Sequence, residues 1–181
     1  PHYGDEYKVM GLAPYGRPRY LDAMRRIVQL QNEGGFKLDL SYFRHHREKI
    51  QYRWKDGPPE VGVLYSPALD DLLGSARRSE QSLEDRHRDL ACSVQAMYEE
   101  AFFHLLDHLH KTYGIHDIAL AGGCAMNAVA NGKIRRRSPF RRVYIQAAAG
   151  DAGGAIGAAL SIARNHGAGR CPMPHAYWGP G

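Results

Sequence analysis

The stretch LAGGCAMNA, residues 120–128, combines an apolar run, two adjacent glycines and the beginning of a helical pattern. It predicts a buried strand, a tight turn and a helix N-terminus, where backbone N–H groups without intrahelical partners can bind an anion. A second stretch, AGDAGGAIGA at residues 149–158, repeats this plan and places the carboxylate of Asp151 at its tip. An anion-binding turn followed by a single acid indicates a nucleotide and metal site.

Helices and strands alternate around these two glycine turns. Apolar residues at steps of three and four predict a long helix over 83–113, with Ser82 as its candidate N-cap. The elements predicted after it are a strand over 115–121, a helix over 126–136, a strand over 143–146 and a helix over 152–166. This alternation favours an α/β layer with a mainly parallel sheet.

The region before residue 81 has fewer regular signals. Residues 4–18 are rich in glycine, proline and tyrosine, and we interpret them as a loop. A helix is predicted over 19–32, ended by Gly34-Gly35, and a half-buried strand is predicted over 36–40. The chain from 41 to 80 is interpreted as irregular.

Composition limits the functional classes. The chain has 181 residues, 44% of them hydrophobic, enough for one sizeable core or two small ones. No apolar run approaches the roughly 20 residues of a membrane span, so we expect no membrane partner. Because Cys92, Cys124 and Cys171 lie far apart, we expect no zinc cluster or disulfide framework, and a cytoplasmic location. The chain has no initiator methionine, and we expect it to be part of a longer protein.

The net charge of +5 is partly concentrated in one region. Its basic members are Lys133, Arg135, Arg136, Arg137, Arg141 and Arg142. A solvated face explains such a cluster, and so does attraction of polyphosphate, another subunit or nucleic acid. Nucleic acid ranks lowest among these partners, because no interleaved aromatic residues or nucleic-acid module accompany the cluster.

The Gly122-Gly123 pair admits two interpretations. Adjacent glycines let a ligand approach where a Cβ atom would clash, and Asn127 in the following helical turn offers a donor and an acceptor to a ribose or phosphate. A plain strand-to-helix turn with a packing glycine explains the pair equally well. The spacing matches neither the G-x-G-x-x-G fingerprint nor the Walker loop, so those folds lose support.

Asp151 and Lys8 are the other candidate site residues. Asp151 is either a helix N-cap or a ligand of a divalent metal, and the small residues on both sides favour close approach by a ligand or another segment. Lys8 lies in GDEYKVMGLAPYG, residues 4–16, framed by glycines and tyrosines. A surface lysine is ordinarily unremarkable, but this segment has the composition of a specified loop.

The histidines do not indicate a metal centre. His104 and His108 have the i, i+4 spacing of a helical metal pair, but they flank the apolar stripe of the long helix. Because no glutamate or third ligand accompanies them, we interpret them as structural or surface residues. His87 lies on the apolar stripe and is interpreted as a hydrogen-bonded core residue.

Several segments, in this order, resemble the NodU/CmcH family of O-carbamoyltransferases. The matching segments are 4–16, 40–43, 120–134, 148–159 and 175–180. The resemblance implies an α/β ribonuclease-H-like lobe of the actin/Hsp70/sugar-kinase (ASKHA) fold, with a mixed sheet flanked by helices. We therefore expect residues 1–181 to be the second lobe of an amino-terminal transferase domain. Its expected parts are a pocket loop (1–18), a helix, strand and irregular insert (19–80), an α/β core (81–166) and a tail toward a missing carboxy-terminal domain (167–181).

The resemblance also implies an activity. In this family a carboxy-terminal domain makes carbamoyl adenylate from carbamoyl phosphate and ATP, and the transferase domain passes the carbamoyl group to a hydroxyl of a sugar-like or antibiotic-type acceptor. A divalent metal, expected to be iron, lies beside the adenylate. By the same resemblance Asp151 is a metal ligand, and the nucleotide-binding residues are Gly122, Gly123, Asn127, Lys8 and Gly11. The other metal ligands, including an H-x-x-x-H pair, are expected before this segment, and no residue here is assigned as catalytic.

Two other functions stay open. A sugar kinase or ATPase of the same fold would use the glycine turns to transfer phosphate. A non-catalytic nucleic-acid or subunit-binding module would use residues 135–142, and these arginines would also suit the contact of a homodimer. Neither alternative explains the segment 4–16.

Overall fold

The computed structural model describes residues 4–54, 56–57 and 59–169. The chain divides into two compact units, Pro1–Thr112 and Tyr113–Gly181. The segment 175–180, which carries part of the family resemblance, lies outside the described residues, as does the predicted tail from residue 170 onward.

The segment predicted as a loop over 4–18 is mostly helical. Helix α1 spans Glu6–Leu12 and a 3-10 turn follows over Ala13–Tyr15. Pro14 lies at the start of the 3-10 turn, where its missing N–H breaks no hydrogen bond. The loop prediction was wrong because it rested on the glycine, proline and tyrosine content, and this content is compatible with the short helical turns that form here.

The helix predicted over 19–32 stops early. Helix α2 spans Leu21–Ile27, and strand β1, Val28–Leu30, pairs antiparallel with β2, Phe36–Leu38. The glycines expected to end the helix instead form the hairpin turn, since Gly34 has a φ of +82°. Pairing with β2 therefore overrides the helical periodicity of the sequence after Ile27.

Short elements follow in the region interpreted as irregular. Strands β3, Tyr52–Arg53, and β4, Glu60–Val61, form a second antiparallel pair. A 3-10 turn covers Leu40–Tyr42, and helix α3 spans Pro67–Leu73. The core of this unit contains Met24, Ile27, Tyr42 and Met97.

The long helix α4, Asp85–Tyr113, contributes Met97 to that core. It is buried on two opposite sides rather than along the predicted stripe, of which Val94 and Leu109 are exposed. One side contains Asp89, Ser93, Met97 and Ala101, and the other contains Ala91, Gln95, Glu99, Phe103 and Leu106. A single-stripe pattern cannot describe a helix that is covered on both sides.

Helix α4 begins at Asp85, so Ser82 is not its N-cap. The carbonyl of Glu84 accepts hydrogen bonds from the amides of His87 and Arg88. The N–H of Glu84 in turn donates to Nδ1 of His87 at 3.0 Å. His87 is therefore a half-buried cap of the helix start rather than a core residue.

The other two helical histidines hold the β1–β2 hairpin. Nε2 of His104 lies 2.7 Å from the carbonyl oxygen of Gln31, at the hairpin turn. A Cβ atom added at Gly34 would lie 2.0 Å from Cγ of His108. These contacts confirm the structural role expected for His104 and His108.

In the second unit strands and helices alternate as predicted. Strand β5, Asp117–Leu120, leads through a 3-10 turn to the short helices α5, Ala128–Asn131, and α6, Ile134–Arg137. Strand β6, Arg142–Ile145, pairs parallel to β5, and helix α7 follows over Gly153–Asn165. The helix predicted over 126–136 is thus interrupted, at Gly132 and Lys133, where glycine weakens the helix.

The α/β class is confirmed, but the sheet differs from the expected one. The described residues form three separate two-stranded sheets, β1–β2, β3–β4 and β5–β6, instead of one mixed sheet. The strands are two to four residues long, too short to recruit several neighbours. No helix in the described ranges is long and apolar enough to cross a membrane.

Candidate functional site

The first glycine turn follows the end of β5 directly. Gly122 has a φ of +99°, a conformation that favours glycine, and the 3-10 turn Gly123–Met126 begins at the next residue. The side-chain oxygen of Asn127 accepts a hydrogen bond from the amide of Ala130 at 3.0 Å. Asn127 is thus the N-cap of α5, and part of its hydrogen-bonding capacity stabilises the fold.

The helix after this turn is shorter than the sequence predicts. Helix α5 has four residues, and a 3-10 turn separates it from the glycines. The dipole of so short a helix is small, which weakens the expected attraction of an anion by a helix N-terminus. The argument for a ligand at Gly122-Gly123 therefore rests on the space above the turn.

That space is open. A Cβ atom added at Gly122 or Gly123 would meet no atom within 4 Å in the described structure. Gly123 also has no left-handed φ, so neither packing nor backbone conformation requires glycine there. Among the described residues no packing contact requires glycine at either position, although the left-handed φ of Gly122 is what a plain strand-to-helix turn would need. Both interpretations of the pair therefore stay open, and the described residues leave room for a ligand next to the backbone.

The two glycine stretches lie together. Strands β5 and β6 are parallel and in register from Asp117↔Arg142 to Leu120↔Ile145, so the turns after them share one edge of the sheet. The amide of Gly122 donates to the carbonyl of Ala149 at 2.7 Å. The structure thus brings Gly122, Gly123, Asn127 and Asp151 to one end of the parallel pair.

Asp151 is exposed in the turn before α7. The N-cap position of α7 belongs to Ala152, and no side-chain hydrogen bond caps this helix, so the N-cap interpretation of Asp151 is wrong. Gly153 has a packing reason to be glycine, because its Cβ would lie 2.3 Å from the carbonyl oxygen of Ala148. Part of the small-residue pattern around Asp151 therefore reflects backbone contact rather than ligand access.

A metal ion would need further ligands besides Asp151. The described residues contain no group of three or more His, Cys, Asp or Glu side chains that could hold one. A carboxylate fits a divalent ion, but proteins surround such ions with several ligands. Asp151 can accordingly supply one ligand and does not form a metal site by itself.

Lys8 and Gly11 belong to the first unit, on helix α1. Nζ of Lys8 lies 2.8 Å from Oδ1 of Asp5. The hydrogen bond to Asp5 raises the pKa of Lys8, so its ammonium group stays charged at neutral pH. A Cβ atom at Gly11 would meet nothing within 4 Å, so no internal contact requires a glycine there either.

The sequence analysis did not identify two polar side chains of α4 that bind the backbone of the segment after Lys8. Oδ1 of Asp89 accepts a hydrogen bond from the amide of Arg17 at 2.7 Å, and Oγ of Ser93 accepts one from the amide of Tyr20 at 2.9 Å. Both side chains lie on the buried side of α4. Polar residues four positions apart within a buried helix face were the signal that could have revealed them.

Two members of the basic cluster lie at the end of the β5–β6 pair opposite the glycine turns. Arg142, at the start of β6, pairs with Asp117 at the start of β5, with Nε to Oδ1 at 2.8 Å. Arg141 is exposed beside this pair, at the end of the sheet opposite the turns. The sequence of the second unit contains eight lysines and arginines and only two acids, Asp117 and Asp151.

Two surface clefts of the first unit contain none of the predicted site residues. One is lined by residues of 40–48 together with Ser66 and Pro67, and the other by residues of 65–77 and 86–90. Neither cleft includes Lys8 or Gly11. These two clefts are therefore separate from the predicted site residues.

A known protein family matches the part of the chain that contains these residues. A family model described as the carbamoyltransferase N-terminus matches residues 2–160. The chain belongs to the carbamoyltransferase family. The match includes α1 with Lys8, both glycine turns and Asp151, so all the predicted site residues lie within the matched residues.

Three individual proteins are similar to most of this chain. The nodulation protein NolO of Bradyrhizobium diazoefficiens is 37% identical over 179 residues, which are 97% of this chain and 28% of NolO. The nodulation protein NolNO of Sinorhizobium fredii is 35% identical over 179 residues, 97% of this chain and 23% of NolNO. An uncharacterized protein of Synechocystis sp. is 40% identical over 160 residues, 87% of this chain and 24% of that protein. The chain thus spans about a quarter of the length of these relatives.

Proposed function

We propose that this chain is part of an ATP-dependent O-carbamoyltransferase, to which it contributes one side of a nucleotide and metal site. The observation that carries the proposal is the open turn at Gly122-Gly123, on the same sheet edge as Asp151. Open space beside the Cα atoms of these glycines lets a phosphate approach the backbone closely. Membership of the carbamoyltransferase family supports carbamoyl transfer over other uses of such a turn.

The substrates follow from the same proposal. Carbamoyl phosphate and ATP would supply carbamoyl adenylate, and a hydroxyl of a small sugar-like or antibiotic-type molecule would accept the carbamoyl group. The protonated Lys8 ammonium, held by Asp5, supplies a positive charge suited to a phosphate of this donor. No side chain in this chain is assigned as the general base.

Asp151 would hold a divalent ion, for which we propose iron, together with ligands that lie outside this chain. Such an ion, when bound, polarises the carbonyl that is attacked. Asp151 suits this role because its carboxylate is exposed and forms no hydrogen bond or ion pair with any residue that the structure describes.

The proposal also includes a cytoplasmic location and assembly as a homodimer. Cys92 and Cys124 form no disulfide within the described residues, which fits a cytoplasmic protein. The exposed arginines of α6 would suit the contact of a homodimer.

The test is a transfer assay with the complete polypeptide, ATP, labelled carbamoyl phosphate and a panel of polyols and sugars. We expect label in the acceptor, together with AMP, pyrophosphate and phosphate. Phosphorylation of a sugar from ATP alone, with ADP as product, would instead establish a sugar kinase. The isolated chain should bind nucleotide weakly and transfer no carbamoyl group, since it holds one side of the site, and transfer by the isolated chain would contradict this division.

A further inference from the structure

Strands β3 and β4 form a hairpin of the first unit that has one apolar and one charged face. Tyr52 lies directly opposite Val61, and Arg53 lies directly opposite Glu60. Residues directly opposite each other share a face of the pair, and successive residues alternate between the two faces. The first pair therefore forms an apolar face, and the second pair forms a charged face that suits water.

The apolar face continues beyond the two strands. The amide of Gly62 donates to the carbonyl of Gln51 at 3.2 Å, so the pairing extends by one further residue on each side. Apolar residues alternate with polar residues or glycine along both arms, which places Trp54 and Val63 on the apolar face as well. The hairpin face, as we name this surface, consists of Tyr52, Trp54, Val61 and Val63.

The hairpin face is largely open to water in the described part of the chain. Trp54 is 73% exposed, Tyr52 is 56% exposed and Val63 is 52% exposed. A two-stranded hairpin is only marginally stable in water unless its apolar side packs against something. Apolar side chains exposed side by side on such an element mark an interaction surface.

The size of the hairpin face indicates what covers it. Its exposed side chains could bury roughly 400 Å² of their surface. A stable complex between separate molecules buries about 800 Å² on each partner, so a second copy stacked on this face would bury about half of what it needs. A contact within one polypeptide needs less area, because the linkage keeps the two surfaces at a high effective concentration.

We propose that the hairpin face docks onto an apolar surface of the same polypeptide that lies outside residues 1–181. The chain spans about a quarter of the length of its relatives, so a polypeptide of their length has further surface to offer. The charged face with Arg53 and Glu60 stays in water. This docking goes beyond the proposed function, since it involves neither the nucleotide nor the metal.

The first test is photo-crosslinking in the complete polypeptide, with benzoylphenylalanine in place of Trp54. This residue keeps an aromatic side chain on the hairpin face. We expect a cross-link within one polypeptide, to a peptide outside residues 1–181 that mass spectrometry identifies. The matched control carries the same photo-reactive residue in place of Arg53, on the charged face, and should form no such cross-link.

Other products of this reaction would overturn the proposal. A covalent dimer on a denaturing gel would assign the hairpin face to a second copy. A cross-link to a peptide within residues 1–181 would show that the chain covers this face itself. A face that forms no protein cross-link, or that captures an added oligosaccharide instead, would be a free surface or a carbohydrate platform.

A second test measures accessibility and needs no activity. Val63→Cys changes the side-chain volume little, so it keeps the test open if the substitution of Trp54 prevents folding. We expect maleimide to label this cysteine about tenfold more slowly than the cysteine of Arg53→Cys in the native complete polypeptide, measured at each site by peptide mass spectrometry. The two rates should become equal in urea. Equal rates in the native protein would overturn the docking of the hairpin face.

Discussion

The backbone amide of Gly122 donates a 2.7 Å hydrogen bond to the carbonyl of Ala149, and this bond joins the turn after β5 to the turn after β6. The two turns are therefore connected at one end of the parallel pair. Asp151 lies two residues beyond Ala149, in the second of these turns. A change in one turn is expected to alter the other.

Replacing Gly123 by alanine should affect binding without affecting the fold. Its Cβ would enter open space, and its φ is not in the left-handed region, so we expect the free energy of unfolding to change by less than about 0.5 kcal/mol. The same methyl group would occupy the space proposed for the phosphate of the carbamoyl adenylate, and carbamoyl transfer by the complete polypeptide should fall about tenfold. A transfer assay and urea unfolding measure the two effects.

Gly132→Ala is the matched control for that variant. Its Cβ would lie 3.4 Å from the carbonyl oxygen of Ala128, an ordinary contact at the end of α5. Both variants should remain folded, and only Gly123→Ala should slow carbamoyl transfer. Equal transfer rates in the two variants would remove the main support for a nucleotide at this turn.

Removal of the Asp151 carboxylate should release metal. We expect Asp151→Asn in the complete polypeptide to purify with much less bound iron than the wild type, because the amide is a weaker ligand than the carboxylate. Asp117→Asn, which removes the other acid of the second unit at the opposite sheet end, should retain the metal. Elemental analysis of the purified proteins decides this, and full metal content in Asp151→Asn would exclude Asp151 as a ligand.

We expect the side chain of Ile134 to contribute much of the free energy of unfolding of the second unit. It is 0% exposed on α6, so truncation to alanine should lower the free energy of unfolding by about 2–5 kcal/mol. Ile162→Ala provides the comparison, since that residue is 62% exposed and its truncation should cost less than about 0.5 kcal/mol. Similar urea midpoints for the two variants would show that α6 is not part of the core.

The Asp117–Arg142 pair should make stability depend on acid pH. The hydrogen bond from Arg142, and to a smaller extent its charge, lowers the pKa of Asp117 below its ordinary value. The stabilisation is complete above the pKa of the unfolded chain, about 4, and is lost as the pH falls through the lower pKa of the folded protein. The stability difference between wild type and Asp117→Asn should therefore shrink below about pH 4 in urea titrations. Arg142→Gln should show the same trend, and a difference that does not vary with pH would contradict the pairing.

The two glycine turns could be predicted from sequence because their signals are local. An apolar run followed by adjacent glycines specifies a strand end and a turn over a few residues, and both turns lie where the pattern placed them. The strand Val28–Leu30 could not be predicted in this way, because it forms only through its pairing with Phe36–Leu38. Local periodicity had favoured a continuous helix there.

The burial of α4 and the role of Asp89 could not be predicted from the sequence, for a different reason. A hydrophobic stripe assumes one buried side, whereas α4 has two, and one of them contains a buried acid. An aspartate in such a position makes physical sense only once the backbone of Arg17 is placed against it. That contact joins residues 72 positions apart, so no local sequence pattern predicts it.

The eight basic residues and two acids of the second unit have a kinetic consequence. A surface with this excess of positive charge raises the local concentration of anions and accelerates their diffusional encounter with the protein. Under the proposed function the ligand of this unit is carbamoyl adenylate, which is an anion, so we expect an enzyme built on this unit to capture it faster at low ionic strength. The capture rate should then fall steeply as salt screens the field over a Debye length of about 10 Å.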